Sequence, residues 1–524
     1  MMTDRQQNWT VRKPAARAAG GVVASQNLTA AEVGARVLRD GGNAVDAAIA
    51  TAFAVSVLEP WMSGMGGGGM MLVHSAAERR VRGIAFGMVA PLDLDPTDYP
   101  LGPAEGGDLF PWPTVAGNHN VLGALAIAVP GHVAGLALAH ERFASRPWAD
   151  LLAPAVALAE AGLPVSWHTT LKIAASAKDL RRFEPARATY LPGGLPPVPH
   201  DDGTLPRLPL GRLPATLRRL AEAGPRDFYQ GEIAHALASD VQAAGGRLSA
   251  DDLARYRAVE VDAPAIGHGD AAVHVIPGLT AGPTLRHALE LVAERVPRGA
   301  GPGADAYLAW AEALFAAYEH RLATMGDVAD DSQSPSCTTH LSVADGAGNL
   351  VSLTQTLLSS FGSKVISPRT GVLLNNGIMW FDPRPGRPNS IAPGKRPLSN
   401  MCPVIALRAD GRTPWFALGA SGGRRILPAV LQITSMLAAC GLDPEEAVHH
   451  PRIDVSGDET TLTADPRLPA EVVRALEARH RVLRREHAVY PSLFACPSLA
   501  LRDPATGACL GLSDPMNPVS GAAG

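Results

Sequence analysis

Residues able to make and break an acyl bond cluster in the last two fifths of this 524-residue chain: Cys337, Thr338, Thr356, Ser421 and the glycine pair Gly422-Gly423. Thr338 opens the run Thr-Thr-His-Leu-Ser-Val, directly after an acidic, polar stretch that begins at Gly326 and ends at Ser336. Polar lead-ins of this kind are readily cut, and a cut between Cys337 and Thr338 leaves the threonine with an α-amino group. Such a residue unites nucleophile and base. An α-amine with a pKa of about 7.7–8.0 is substantially neutral near pH 8 and can accept the Oγ proton. In the uncut chain the same Oγ can attack the Cys337 carbonyl, and hydrolysis of the resulting ester separates the two pieces. A cut one residue earlier makes Cys337 the competing nucleophile.

Thr356 is tied to Thr338 by periodicity. Apolar Leu341 and Val343 alternate with His340 and Ser342, as Val351 and Leu353 do with Ser352 and Thr354, which reads as two strands. Between them Asp345-Gly-Ala-Gly-Asn349 supplies a tight reversal. Centring the turn on Ala347 predicts Thr356 opposite Thr338, where its hydroxyl can orient the nucleophile. The alternative is a strand threonine of good β propensity and nothing more. His340 reads as a packing residue, since the amine already fills the role of base.

Gly422 and Gly423 follow the apolar strand Trp415-Phe-Ala-Leu418 and precede a helix running from Ile426 to about Leu437. Backbone N–H groups at such a turn lack intrahelical partners and can hold a developing oxyanion, worth about 3 kcal/mol per donor. The same turn fits a nucleophile elbow, Gly419-Ala-Ser421-Gly-Gly423, with His449 and His450 downstream. A serine hydrolase using Ser421 is therefore a rival reading. It leaves the threonine hairpin and its acidic lead-in unexplained.

The elements that must position these groups form a well-packed chain. Hydrophobic residues make up 46% and charged ones 18%; a net charge of −4 argues against a nucleic-acid partner. The length alone suggests two or three domains, yet no separable boundary and no internal repeat is visible. The N-terminal residues show no secretory apolar region, and five cysteines read as reduced thiols, so a cytoplasmic location is expected. No run of 18 uncharged apolar residues suggests a membrane span. The 16 histidines lack ligand spacing, so neither a metal nor another cofactor is expected. Leu28 to Leu38 reads as a helix capped by Thr29 and stopped at Gly41-Gly42, and Ala44 to Leu58 as a second, ended by Pro60. The run Gly64 to Gly69 formally fits a dinucleotide fingerprint, but a helix precedes it and a strand-like Met70-Met-Leu-Val73 follows. Close backbone packing beneath the site is the better reading. Further along, Ala126 to Gly162 suggests turns and short helices, Leu213 to Asp240 more helix, and Ala271 to Ile276 a strand. Ala304 to Ala323 suggests a long amphipathic helix leading into the acidic segment.

Seven segments carry a resemblance over nearly the whole chain: the Thr338 run, Asp40-Gly-Gly-Asn-Ala-Val-Asp-Ala-Ala, Met62-Ser-Gly-Met-Gly-Gly-Gly-Gly-Met, Val129-Pro-Gly-His-Val-Ala-Gly, Gly371-Val-Leu-Leu-Asn-Asn, Pro393-Gly-Lys-Arg-Pro-Leu-Ser-Asn-Met and Gly419-Ala-Ser-Gly-Gly. Together they resemble the γ-glutamyltransferase family, the threonine branch of the N-terminal-nucleophile hydrolases. The resemblance implies an α+β fold, the four-layer αββα sandwich. It further implies self-cleavage into a large segment, 1–337, and a small one, 338–524, that stay together as one unit. The reaction implied is cleavage of a small-molecule amide through an acyl-Thr338 intermediate, with Gly422 and Gly423 as the oxyanion donors and water or an amine as acceptor.

Against that pattern the chain departs where family members grip a γ-glutamyl head. The positions of an Arg, an Asn, a Gln and an Asp fall on Gly87, Leu358, Gly377 and Trp380. Ser399 and Asn400 remain as hydrogen-bonding groups, and Arg424 can meet a carboxylate or form a surface ion pair. The segment between Pro385 and Pro393 is short, implying that the lid loop of some relatives is absent and that hydrolysis is favoured over transfer. The expectation is an amidohydrolase whose acyl donor is not γ-glutamyl, akin to relatives acting on oxamate or acylated β-lactams. The runner-up is an authentic γ-glutamyltransferase or glutathione hydrolase. A catalytically dead binding module is disfavoured, because Thr338, Thr356, Gly422 and Gly423 are all present.

Overall fold

Alternating side chains build a hairpin where expected, Ser336–Asp345 against Leu350–Ser359. In the computed structural model, which describes residues 9–102, 112–325, 336–457 and 460–524, its register is centred on Ala347 from Ala344 opposite Leu350 to Thr339 opposite Gln355. One step further the ladder slips, and Cys337 faces Leu358. Thr338 therefore sits at a bulge instead of forming the plain rung with Thr356 that a regular register predicts. Bulges re-aim a side chain and end pairing. The acidic lead-in, 326–335, lies outside the described residues.

The hairpin is the middle of a seven-stranded antiparallel sheet in the order Gly521–Ala523, Gly21–Ser25, Ser336–Asp345, Leu350–Ser359, Gly68–Ser75, Arg80–Phe86, Val259–Asp262. A second seven-stranded sheet runs Ala16–Ala18, Cys509–Ser513, Cys496–Arg502, Pro414–Ser421, Val404–Arg408, Ala271–Val275, Ala265–His268. The two stack face to face. Ser352 Oγ donates to Leu418 O at 2.9 Å and Ser342 Oγ to Ser498 O at 3.1 Å. The polar positions of the hairpin thus face a dry sheet-to-sheet interior, and His340, Ser342, Ser352 and Thr354 are all fully buried.

Helices close both outer faces, giving four layers, αββα. Ala44–Leu58 is buried along all 15 residues, and Ile426–Ala438 is buried throughout on the opposite side. Three large slabs hold most of the apolar core, beside a small cluster of Ala30, Ala54, Val55 and Leu58. Phe53, Val57, Leu341 and Leu353 fill the space under the first helices, and Leu72, Ile405 and Ala417 lie between the sheets. Trp310, Phe416 and Val430 fill the third slab, under the second helix layer. Leu341 and Leu353 thus point to helices while their polar neighbours point to the other sheet.

Local chemistry moves several expected boundaries. The first helix, Leu28–Arg39, is capped by Asn27, whose Oδ1 accepts from Ala30 N at 3.2 Å, and not by Thr29. Asn43 and Asp46 form a reciprocal capping box on Ala44–Leu58. The stretch expected to alternate turns with short helices contains two full ones, His132–Phe143 and Trp148–Ala161. Conversely, the helical run from Leu213 is three pieces, Leu213–Ala223, Asp227–Gln230 and Glu232–Ala243, broken first at Gly224 with φ +82°. The long helix is Ala304–Met325. Among the described residues no helix is long and apolar enough to cross a membrane.

Candidate active site

Two hydroxyls meet where the hairpin opens. Thr338 Oγ1 donates to Thr356 Oγ1 at 3.3 Å, and Thr356 Oγ1 also accepts from Leu358 N at 2.8 Å. Both threonines are buried. Leu358 adopts φ +87°, a left-handed conformation that costs a bulky residue free energy and turns the chain sharply beside the nucleophile candidate.

Strand Leu350–Ser359 is clamped in place by the motif residues. Gln355 Nε2 donates to Ala52 O (3.1 Å), Ser56 Oγ (3.2 Å) and Ser63 Oγ (3.0 Å), while its Oε1 meets His132 Nε2 at 3.0 Å. Asn375 Nδ2 bridges Gly66 O and Ala128 O at 2.7 and 2.8 Å, and Asn376 Nδ2 donates to Ser359 Oγ at 2.9 Å. The glycine run packs as its sequence context suggests: a Cβ on Gly67 would lie 2.2 Å from Thr356 O, and one on Gly66 2.2 Å from Leu373 O. His340 Nδ1 is 2.8 Å from Thr354 Oγ1 and Nε2 is 3.0 Å from Ser342 Oγ. Burial pushes its pKa down to about 3, so the ring is neutral.

Across from the threonines, Pro414–Ser421 ends at Gly422 (φ +132°) and Gly423 (φ +61°), and the chain turns into helix Ile426–Ala438. Both conformations call for glycine. Among the described residues neither amide N–H of the pair donates to a protein acceptor; the turn's own bond runs from Arg425 N to Gly422 O at 3.3 Å. Thr338, Gly423, Asn400, Trp380, Leu358, Met401 and Ile426 line one narrow recess of about 10 Å³, room for a single water. Asn400 Nδ2 and Ser399 Oγ are buried without a hydrogen-bond partner.

Other expected contributors lie elsewhere. Ser399 does not line the recess. Arg424 stacks its guanidinium 5.2 Å from the Tyr318 ring, and Tyr318 Oη donates to Arg424 O. Gly87 does not line the recess; its carbonyl accepts from Tyr256 Oη at 2.7 Å. Gly377 is packed so closely that a Cβ would meet that of Ala128 at 2.8 Å. Cys337 occupies the rung opposite Leu358. Ser421 accepts a hydrogen bond from Gln26 Nε2. His449, the nearer histidine in sequence, is engaged by Glu445 O at 2.7 Å and Lys13 N at 3.0 Å, so it is not available as a base for Ser421.

One residue at the site gave no signal in the sequence. Arg321, on Ala304–Met325, is buried behind Ser399 and Asn400, and desolvation lowers its pKa to about 10. A single arginine in an amphipathic helix looks like any solvated one, and nothing local distinguishes it.

A double-sheet sandwich sealed by helices, with buried hydroxyls at the open end of its central hairpin, is the architecture of an N-terminal-nucleophile hydrolase. The chain belongs to the gamma-glutamyltranspeptidase family, whose model matches residues 30–337 and 328–522. It is 34% identical to the acylase ACY 1 proenzyme of Pseudomonas sp. (strain V22) over 91% of this chain and 90% of that protein. It is 31% identical to the glutathione hydrolase proenzyme of Escherichia coli (strain K12), over 88% and 86% respectively. The crystal structure of cephalosporin acylase from Bacillus halodurans superposes with a TM-score of 0.84 at 27% identity, covering 100% of this chain and 99% of that one. These relatives identify a hydrolase or acyl-transferase acting on amides.

Proposed function

We propose that the chain is the precursor of an amidohydrolase that cuts itself between Cys337 and Thr338 and then uses the new N-terminal threonine as nucleophile. The observation that carries this reading is the 3.3 Å contact between the Thr338 and Thr356 hydroxyls beside a recess that Gly423 also lines. Thr338 Oγ attacks the substrate carbonyl, its α-amine takes the proton, and the Gly422 and Gly423 amides hold the oxyanion. The amine product leaves, and water or a second amine releases the acyl group. Segments 1–337 and 338–524 remain one body, because strands from both share each sheet.

The acyl group this recess accepts has no ionised α-amino acid head. Trp380 and Leu358 form its walls, and among the described residues no carboxylate lines it to meet an ammonium. An unpaired ionic group in such a site costs several kcal/mol, which makes γ-glutamyl donors roughly 10³-fold poorer than acyl amides lacking the α-amine. The runner-up, a glutathione hydrolase, rests on the 31% identity to proteins of that name.

The test is direct. Wild-type protein should run as two bands on a denaturing gel and form an acyl adduct on Thr338 by mass spectrometry, whereas Thr338→Ala should stay one band. Splitting of Thr338→Ala at the same bond ends this reading. Glutathione outperforming simple acyl amides in kcat/KM would hand the site to the runner-up.

A further inference from the structure

Arg321 carries a charge that the proposed chemistry does not yet use. Its guanidinium donates from Nη1 to Thr280 O at 2.7 Å and Thr284 Oγ1 at 3.1 Å, and from Nη2 to Ser399 O at 2.6 Å and Asn400 Oδ1 at 3.4 Å. The residue is 2% exposed and forms no ion pair among the described residues. Buried cations without a carboxylate are costly and need hydrogen bonds; here four oxygens accept from the two terminal nitrogens, two of them from the 399–400 turn.

The consequence falls on Asn400. A side-chain amide presents an acceptor on one end and donors on the other. With Oδ1 turned toward the guanidinium, Nδ2 is the end left over, and it is buried without a partner in a side chain that lines the recess. A flipped amide would set donors against donors. We propose that Arg321 is a positioning residue that fixes Asn400 with its N–H donors toward the acyl recess, so that the site selects acyl groups bearing a hydrogen-bond acceptor and rejects those bearing a donor. This rests on the acyl-Thr338 reading above. It adds a coupling between the two segments, since Arg321 precedes the proposed cut and Asn400 follows it.

Paired anilides test it: one acyl group carrying a ketone or carboxylate beyond the scissile carbonyl, the other its apolar isostere. In wild type the acceptor-bearing donor should have the higher kcat/KM. Arg321→Met should lower that preference by about tenfold or more, chiefly through KM, while the isostere changes less than about threefold. Arg321→Lys should restore part of it. Should Arg321→Met fail to fold, Thr284→Val, which removes one anchor of the guanidinium, should shift the preference in the same direction by a smaller factor. Thermal melting and retention of both fragments check integrity. Equal loss for both donors, or an unchanged preference, overturns the role given to Arg321 while acyl-Thr338 still forms. Absence of acyl-Thr338 with every donor overturns the underlying reading, and this inference with it.

Discussion

Thr356 is the residue whose hydroxyl has least freedom to be anything else. Its oxygen accepts from Thr338 Oγ1 and from Leu358 N, both buried donors. Replacing it with valine keeps shape and β propensity but leaves the proposed nucleophile, Thr338, unoriented and the Leu358 amide unpaired. Turnover should fall about 10²-fold, with a stability loss of about 1–3 kcal/mol for the orphaned N–H. Thr356→Ser should recover most of the rate. Near-normal kcat in the valine variant, measured on any amide the enzyme cleaves, would remove Thr356 from the mechanism. The meeting of these two threonines was legible in the sequence because the period-2 pattern and the turn at Ala347 set the register. The bulge at Thr338 was not, because a one-residue slip leaves no mark on alternation at the end of a strand. Arg321 was invisible for another reason: its role depends on contacts with Thr280, Thr284, Ser399 and Asn400, and the nearest of these is 37 positions away.

At the scale of elements, the contact between the two sheets holds the site. Strand Pro414–Ser421 carries Gly419 against His340 of the hairpin, and a Cβ there would lie 2.3 Å from the imidazole. Gly419→Ala must push the ring off Thr354 and Ser342 or spread the sheets, so it should cost about 1–3 kcal/mol as an overpacked core does. Gly267, in edge strand Ala265–His268 of the same sheet, has no heavy atom within 4 Å of the equivalent position. Urea unfolding of the two alanine variants should therefore separate them, with Gly267→Ala close to wild type. Equal midpoints would mean that the sheets are not in close contact at Gly419. The long helices and the hairpin strands were readable from periodicity and caps. Which way the hairpin's polar face points was not, since alternation looks the same against water and against a second sheet. Here Ser342 and Ser352 bond to carbonyls of that sheet.

For the molecule as a whole, burial of neutral imidazoles sets the response to acid. His132 and His268 are pushed down to about 4, and His168 and His340 to about 3, in each case chiefly by desolvation. An unfolded chain takes up protons on these rings near pH 6.5 while the folded one does not. Their contribution is therefore complete above pH 6.5 and lost as pH falls through the window down to about 4. Glu59 opposes them: desolvation raises its carboxyl to about 8, so its contribution is present below about 4.5 and fades as pH rises toward 8. For these five groups, four protons against one leave three, and at about 1.4 kcal/mol per proton per pH unit they contribute at most about 4 kcal/mol per unit between pH 6 and 5. His74, His274, His450 and His480, also lowered by desolvation, add in the same direction. His132 and His340 bind the hairpin sheet to its neighbours, and His268 Nε2 meets Ser435 Oγ on Ile426–Ala438 at 3.0 Å, so acid acts on both halves at once. Melting temperature should peak near pH 7, fall steeply by pH 5 and decline only gently toward pH 8. Replacing His268, at the second sheet's edge, with Gln should flatten the acid limb by about one proton. A midpoint constant from pH 7 to 5 would show that these rings are hydrated in the folded protein, contrary to the burial on which this argument stands.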